Sequence, residues 1–313
     1  MLRIHGLLLV ILSVALTACS TGGTDGNEPD VPDVPVPDSP QPDPPIEHLP
    51  INISPFVKAD AGRYFVSGDK VGLFVVNHNN TGASVSLAPS GNHVDNMLYI
   101  NTTQWTPATP TYWKDEKTVA DLYLYYPYQE SVANPCAMLF NTDADQSIAT
   151  VYRSCDLLVG STLNVSPTET AVNIEMKHVM SKVEIRLNPG AGFTDASLAM
   201  AVKSVKLNNL KTSATIDLAS VSVKAAGTVE DIIPYHDGQV YKAVVVPQTT
   251  SERALISVDV NGDTYNYSEA CTFERGKTHT FVITLNKTSS GINTTVEAWK
   301  DDNKDNGGTA EPM

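Results

Sequence analysis

The chain has 313 residues, 42% hydrophobic and 18% charged, which is enough for one large or two ordinary domains with hydrophobic cores. Its 21 basic and 35 acidic residues give a net charge of −14, which argues against the basic face that a nucleic-acid-binding protein needs. The low charged fraction argues against a coiled coil, and four cysteines are too few for a disulfide scaffold of this length.

Residues 1–18 have the sequence pattern of a lipoprotein signal peptide. Arg3 precedes one apolar run, Leu7 to Leu16, which has the length of a signal-peptide core and is too short to span a bilayer. The run ends in Leu-Thr-Ala before Cys19, which has the form of a bacterial lipobox. Cys19 is therefore predicted to carry the acyl chains, palmitate among them, that anchor the protein in the outer membrane. The alternative is an ordinary secretory signal followed by a chance cysteine.

Residues 19–48 are predicted to be a lipidated cysteine followed by a disordered spacer rich in proline and aspartate. The stretch from Ser20 to His48 holds seven acidic residues and no lysine or arginine. Proline removes amide donors and like charges repel, so this stretch is expected to be extended and without a core. It is either a plain solvated tether or a signal for export to the cell surface.

The rest of the chain predicts an all-β fold. Short runs rich in Val, Ile, Thr and Tyr recur between turn residues, and the best helix candidate, residues 191–202, is weak. This length suggests two β-sandwich domains in series, residues 49–170 and 171–313. The predicted strands are Val71–Val76, Met97–Asn101, Ala120–Tyr128, Val172–His178, Lys182–Leu187, Val202–Leu207, Val240–Val246, Ile256–Val260, Thr280–Leu285 and Thr294–Trp299.

One hairpin can be predicted with its register. Asn261-Gly262 is the favoured sequence for a two-residue type I′ turn, and alternating apolar residues flank it on both sides. Pairing across this turn places Val258 opposite Tyr265 and Ile256 opposite Tyr267. These four side chains are then expected to share the buried face.

Motifs for catalysis, metal binding and cofactor binding are lacking. The sequence has no G-x-S-x-G, no H-E-x-x-H and no phosphate-binding glycine loop. Residues 301–305 alternate like the start of a calcium loop, but Asn306 and Pro312 stand where that loop needs glycine and glutamate. His178 is interpreted as a structural histidine. We therefore predict no enzyme, no cofactor and no metal.

Three cysteines remain once Cys19 is lipidated, namely Cys136, Cys155 and Cys271. A bridge between Cys136 and Cys155 is one option in an oxidising compartment. Three is an odd number, however, and the spacing selects no pair.

Three aromatic residues, Trp105, Tyr112 and Trp113, could stack on a sugar ring. Aromatic residues on strands more often fill the core of a sandwich. We favour the core interpretation and keep the sugar site as the alternative.

A family resemblance adds to this reading. Six segments, spread in order across nearly the whole exported part, resemble motifs of the fimbrillin family, the subunits of type V pili. They include a Phe-x-x-Gly-Asp-x-Val-Gly-Leu-Phe opening and a Tyr-Tyr-Pro-Tyr strand end, and their order and spacing carry the resemblance. The segments are residues 65–74, 122–128, 178–185, 244–248, 273–277 and Trp299.

The resemblance implies two tandem transthyretin-like, Greek-key β-sandwich domains and a structural, polymerising function. In that family the first strand of the precursor fills a groove of the N-terminal domain until an arginine-specific surface protease cuts after it. A strand from another pilin subunit then fills the groove. The implied partners are other subunits of the family, the protease, the outer membrane through Cys19, and host or bacterial adhesion targets.

Particular positions match the removable strand and the cleavage site of the family. The removable strand corresponds to residues 51–57, in which Pro55 favours an edge position. Arg63 is the predicted cleavage site, with an ordinary exposed loop arginine as the alternative. The residues predicted to plug the groove are Ile51, Ile53, Phe56 and Val57.

The donor strand is assigned to the alternating segment near the C-terminus. The 14 residues that follow it are polar and glycine-rich, which leaves a tip or accessory role open. The competing function is a non-polymerising surface lipoprotein that binds glycan or host protein. The candidate donor residues are Ile292, Val296, Ala298 and Trp299.

Overall fold

The structure is a computed structural model that describes residues 49–58, 64–251 and 253–287 in full and residues 290–298 as backbone. Over these ranges the predicted all-β fold is confirmed, with two short helices, α1 (Ala149–Ser154) and α2 (Asp195–Met200). The strands are β1 (Ile53–Val57), β2 (Lys70–Asn77), β3 (Val94–Asn101), β4 (Trp105–Pro107), β5 (Ala120–Tyr126), β6 (Met138–Asn141), β7 (Leu158–Val165), β8 (Val172–His178), β9 (Ser181–Pro189), β10 (Lys203–Asp217), β11 (Ser222–Ile232), β12 (Tyr235–His236), β13 (Tyr241–Val245), β14 (Gln248–Thr249), β15 (Ile256–Val260), β16 (Asp263–Tyr267), β17 (Thr272–Phe273), β18 (Lys277–Leu285) and β19 (Ser290–Ala298).

The N-terminal half is built on a seven-stranded sheet. Its strand order is β1-β8-β7-β5-β2-β3-β4, and β1 is therefore an edge strand. The strand β1 runs parallel to β8, whereas the other neighbours in this sheet are antiparallel. Every residue of β5 is buried, because both faces of this sheet are covered.

The C-terminal half is a sandwich of two sheets. One has the order β11-β10-β15-β16, and the other has the order β12-β13-β9-β18-β19. Ile185 and Phe281 from the second sheet belong to the same buried cluster as Leu207 and Val258 from the first. Period-two alternation of apolar residues supplies this inner face.

The strand β10 contributes to two cores. Its first five residues pair with β15, and residues 213–216 pair with β6 from the N-terminal half. Ala214 and Ile216 accordingly join a buried cluster that includes Phe74 and Tyr125 of the first sheet. The division into domains 49–170 and 171–313 stays a prediction, and β8, which follows residue 170, is bonded to β1 and β7.

The predicted hairpin is confirmed in type and register. Asn261 and Gly262 have φ angles of 52° and 98°, which a type I′ turn requires. Val258 lies opposite Tyr265 and Ile256 lies opposite Tyr267. The weak helix candidate is the six-residue α2, which begins after a capping box formed by Thr194 and Ser197.

Candidate functional site

The residues predicted to plug the N-terminal domain lie on and just before the edge strand β1. Ile51, Ile53 and Val57 are almost fully buried, at 1%, 3% and 2% exposure, and Phe56 is half-buried on the opposite side of the strand. Burial of three apolar side chains of this size contributes about 1.5–3 kcal/mol each. That β1 can be removed stays a prediction.

The main chain around β1 is bonded on both sides. On one side, residues 53–57 pair in parallel with Val172–Met176 of β8, and Val172 N donates to Asn52 O at 2.9 Å. On the other side, Ile51 N donates to Thr111 O at 2.9 Å and Trp113 N donates to Leu49 O at 2.8 Å. We call the slot between β8 and Thr111–Trp113 the β1 groove.

The wall of the β1 groove is apolar and comes from five strands and the Trp113 segment. The strands β2, β3, β5, β7 and β8 each contribute side chains to the same buried cluster as Ile51, Ile53 and Val57. The cluster includes Val71, Leu73, Val75, Tyr99, Trp113, Leu122, Leu124, Leu158, Ile174 and Met176.

Polar side chains fix the edges of this groove. The Tyr99 hydroxyl donates to the Ile51 carbonyl at 2.8 Å, and the Asn52 side-chain amide donates to Glu169 O at 3.0 Å. The Trp113 indole N–H donates to Thr168 O at 3.2 Å. Burial raises the pKa of the Tyr99 phenol far above its ordinary value, so this group remains a hydrogen-bond donor.

The chain that follows β1 is fastened by a second set of contacts. Arg63 and its neighbours 59–62 lie outside the described residues, and the description resumes at Tyr64. Arg153 Nη2 donates to Tyr64 O at 3.1 Å and to Asp69 Oδ2 at 2.8 Å, and Arg153 Nε donates to the Tyr126 hydroxyl at 3.2 Å. We call Tyr64, Asp69, Tyr126 and Arg153 the Arg153 cluster.

The buried Asp156–His178 pair borders this cluster. The Tyr64 hydroxyl donates to Asp156 Oδ2 at 2.7 Å, and His178 Nδ1 lies 2.9 Å from Asp156 Oδ1. His178 is 9% exposed and its ring meets that of Tyr64 edge-to-face. A buried histidine beside a carboxylate fits the structural interpretation of His178.

The sequence motif containing Asp69 has a local structural reason. Asp69 Oδ2 accepts the Val66 amide at 2.7 Å, and Asp69 N donates back to Val66 O at 3.1 Å, which closes a turn. Gly68 in that turn has a φ of 92°, which favours glycine. A Cβ on Gly72 would lie 2.2 Å from the Tyr125 ring, so this position has no room for a side chain.

The candidate donor segment is the edge strand β19. It pairs antiparallel with β18, so that Ile292 lies opposite Ile283, Val296 opposite His279 and Ala298 opposite Lys277. Trp299 lies outside the described residues, as does Cys19. The donor role of β19 stays a prediction.

The three aromatic residues have different environments. Trp113 is buried in the groove wall, and Trp105 packs edge-to-face on Phe65 with ring centroids 5.2 Å apart. Tyr112 is 42% exposed and lines an open cleft of about 490 Å³ together with His93 and Lys114. Tyr112 is therefore the most exposed member of this set.

All three described cysteines are free thiols. The Cys136 thiol donates to Leu87 O at 3.3 Å, and the buried Cys155 sulfur accepts the Asp143 amide at 3.2 Å. Burial raises the pKa of the Cys155 thiol to about 12 and that of Cys271 to about 11. These thiols are consequently poor nucleophiles at neutral pH.

Within the described ranges, no group of three His, Cys, Asp or Glu side chains could hold a metal ion. Across the same residues, no helix is long and apolar enough to cross a membrane. The sequence reasoning did not identify Tyr99, Arg153 or Asp156. Asp69 lies inside a motif that the sequence analysis quoted, but its pairing with Arg153 is seen only in the structure.

Several solved structures and one family model are similar to this chain. A search of curated proteins finds no match. A solved structure of a protein assigned to cell adhesion from Bacteroides uniformis has a TM-score of 0.63 and 21% identity, over 82% of this chain and 99% of that one. A second solved structure, of a protein assigned to cell adhesion from Bacteroides ovatus, has a TM-score of 0.65 and 16% identity. The match covers 80% of this chain and 98% of that one.

A fimbrial protein from Bacteroides vulgatus is similar over 80% of this chain and 99% of its own, with 13% identity and a TM-score of 0.53. At these identities the similarities establish the fold. The family model for fimbrillin-like proteins matches residues 58–299, which is most of the chain. The chain therefore belongs to the fimbrillin-like family.

Proposed function

We propose that this protein is a structural subunit of a fimbria, exported as a lipoprotein precursor and assembled by exchange of strands between subunits. Family membership supports the coarser part, a fimbrial or adhesion-related protein of the cell surface with a structural rather than an enzymatic role. Its partners are other pilin subunits.

One observation carries the proposal: an edge strand at the start of the described chain fills an apolar groove. Edge strands expose unpaired main-chain groups, and proteins use such edges to add a strand from a partner. If β1 leaves, the groove presents buried apolar surface and the free edge of β8 together. A strand with alternating apolar residues from a second subunit satisfies both, and β19 is our candidate.

The trigger in this proposal is cleavage after Arg63 by an arginine-specific surface protease. The purified full chain is incubated with such a protease and followed on gels and by electron microscopy. We expect heat-labile ladders or filaments from the wild type and from Arg186→Ala, which changes an exposed arginine on β9. Arg63→Ala is expected to remain monomeric. Equal polymer formation by Arg63→Ala would rule out this trigger.

The open cleft at Tyr112 favours a second candidate, a non-polymerising surface lipoprotein that binds glycan. His93 and Lys114 line the same cleft as Tyr112, and an aromatic ring in a cleft with polar groups is a common platform for a sugar. A glycan array separates the two candidates. Binding that is lost in Tyr112→Ala and kept in Trp105→Ala, without any polymer after proteolysis, would favour this second function.

A further inference from the structure

Tyr99 belongs to the buried cluster that forms the wall of the β1 groove. It belongs to β3, where it is opposite Val71 of β2 and Pro107 of β4, and its side chain is 0% exposed. Its hydroxyl reaches across the groove and donates to the main-chain carbonyl of Ile51 at 2.8 Å. The partners are 48 residues apart in sequence, so this contact joins the segment just before β1 to the body of the domain.

This hydroxyl completes an interrupted strand ladder. In a regular antiparallel ladder, two opposite residues of a hydrogen-bonded pair exchange both N–H···O bonds. Ile51 donates its N–H to the Thr111 carbonyl at 2.9 Å, but its own carbonyl accepts from Tyr99. A side chain of the groove wall therefore supplies a donor where the neighbouring segment does not follow the regular pattern.

The contact is made to the main chain and not to a side chain. The apolar wall selects strands with small or branched apolar residues at alternate positions, as Ile51, Ile53 and Val57 show. Tyr99, in contrast, binds a group that every residue type carries. A groove with such a donor can hold two strands of different sequence with the same bond.

The Thr111 carbonyl and the Tyr99 hydroxyl together distinguish the two directions in which a strand could enter the groove. They face the N–H and the C=O of one residue, Ile51, which lies two residues before β1. A strand that entered at the same place in the opposite direction would present its carbonyl to the Thr111 carbonyl. That arrangement places two acceptors against each other.

We propose that Tyr99 is the main-chain anchor of the β1 groove, and that with Thr111 it admits only strands that run in the direction of β1. In the precursor the anchored strand is β1 itself. The extension to a strand from a second subunit rests on the proposed function above. Tyr99 is a positioning residue for assembly in this scheme, since it fixes the incoming main chain and takes part in no covalent step.

The first test uses the intact chain and does not depend on assembly. Hydrogen exchange of the segment 49–58 is measured in the wild type, in Tyr99→Phe and in Tyr125→Phe. Tyr125 is the matched control, because it is equally buried and its hydroxyl donates to Asn96 Oδ1 at 2.7 Å, away from β1.

We expect exchange in segment 49–58 to be at least about fivefold faster in Tyr99→Phe, because the Ile51 carbonyl loses its buried donor. The hairpin β15–β16 should keep its wild-type rate, and Tyr125→Phe should leave segment 49–58 unchanged. Equal exchange rates of segment 49–58 in Tyr99→Phe and Tyr125→Phe would contradict the role of Tyr99 as an anchor.

The second test measures whether the groove distinguishes the direction of the strand that it binds. Protease-treated full chain is mixed with a labelled peptide of sequence 49–57 or with the reversed sequence, which has the same composition, and uptake is measured by fluorescence anisotropy. We expect uptake of the native peptide alone, weakened at least about fivefold by Tyr99→Phe. Equal uptake of both peptides would contradict the direction rule. If digestion does not release β1, the assembly proposal fails, while the exchange measurement still decides the role of Tyr99.

Discussion

Arg153 Nη2 lies 3.1 Å from the main-chain carbonyl of Tyr64 and 2.8 Å from Asp69 Oδ2, so one guanidinium joins both ends of the segment 64–69 to α1. The same guanidinium lies 4.9 Å from the centre of the Tyr64 ring. None of these contacts is made to β1. The chain is therefore held on both sides of residues 59–63 by independent sets of bonds.

Arg153→Lys is expected to loosen the segment 64–69 and leave β1 in place. Lysine keeps the charge but lacks the planar fork that reaches a carbonyl, a carboxylate and a hydroxyl at once. We expect a loss of about 1–2 kcal/mol in the free energy of unfolding, with faster hydrogen exchange across residues 64–69. Arg186→Lys is the control, since Arg186 is exposed and bonded to Glu184 alone among the contacts described. Equal effects of the two substitutions would contradict the role of the Arg153 cluster.

Ile53→Ala is expected to weaken the hold of β1 on its groove. The side chain is 3% exposed within the apolar cluster, and truncation of a buried isoleucine costs about 2–5 kcal/mol. Segment 49–58 should exchange faster, and protease-triggered polymer formation should begin sooner, because the occupant leaves more easily.

Ser54→Ala on the same strand serves as the control for Ile53→Ala. Ser54 is half-buried on the other side of β1, so its truncation should change stability by no more than about 0.5 kcal/mol. A melting temperature lowered equally by both substitutions would show that the groove does not depend on the apolar face of β1.

Local chemistry explains why some elements could be predicted from sequence. The hairpin at Asn261-Gly262 was predicted to the residue, because the turn type and the flanking alternation are both local. The length of β10 could not be predicted, because its 15 residues contribute to two cores. Its pairing with β11 also contains two register irregularities. Tyr99 and Arg153 meet partners 48 and 89 residues away, and no local pattern encodes such pairings.

Gly72→Ala is expected to destabilise the N-terminal sheet. A Cβ at this position would lie 2.2 Å from the Tyr125 ring, which is itself fully buried and held by Asn96 and the Gln129 carbonyl. The ring cannot withdraw without breaking those bonds, so overpacking should cost about 1–3 kcal/mol. Thermal unfolding measures the loss. Gly72→Ala with Tyr125→Leu should recover part of it, and no recovery would contradict the stated clash.

The buried pair His78–Asp121 predicts a pH dependence of stability. His78 Nε2 lies 3.0 Å from Asp121 Oδ1, and Ser84 and the Asn164 amide also donate to Asp121. The hydrogen bond to Asp121 raises the pKa of His78 against the effect of burial. For Asp121, burial opposes ionisation, but the bonds from Ser84, Asn164 and His78 outweigh it and lower the pKa of that carboxyl.

The pKa of His78 is raised and that of Asp121 is lowered, so the two groups lose their stabilising contributions at opposite ends of the pH range. The contribution of His78 is complete below its unfolded pKa, about 6.5, and is lost as the pH rises through the higher pKa of the folded state. The contribution of Asp121 is present above its unfolded pKa, about 3.8, and is lost as the pH falls through the lower folded value. The pair therefore stabilises the fold most between about pH 4 and about pH 6.5.

His78→Ala is expected to lower the free energy of unfolding by about 1–3 kcal/mol at pH 5.5 and by less at pH 8.5. The measurement is the difference in free energy of unfolding between wild type and variant across this range. His236→Ala controls for the loss of a histidine, since His236 is exposed on β12. A His78→Ala difference that grows from pH 5.5 to pH 8.5 would have the wrong sign for a pair stabilised by protonated His78, and would show that the neutral imidazole is the form the fold prefers.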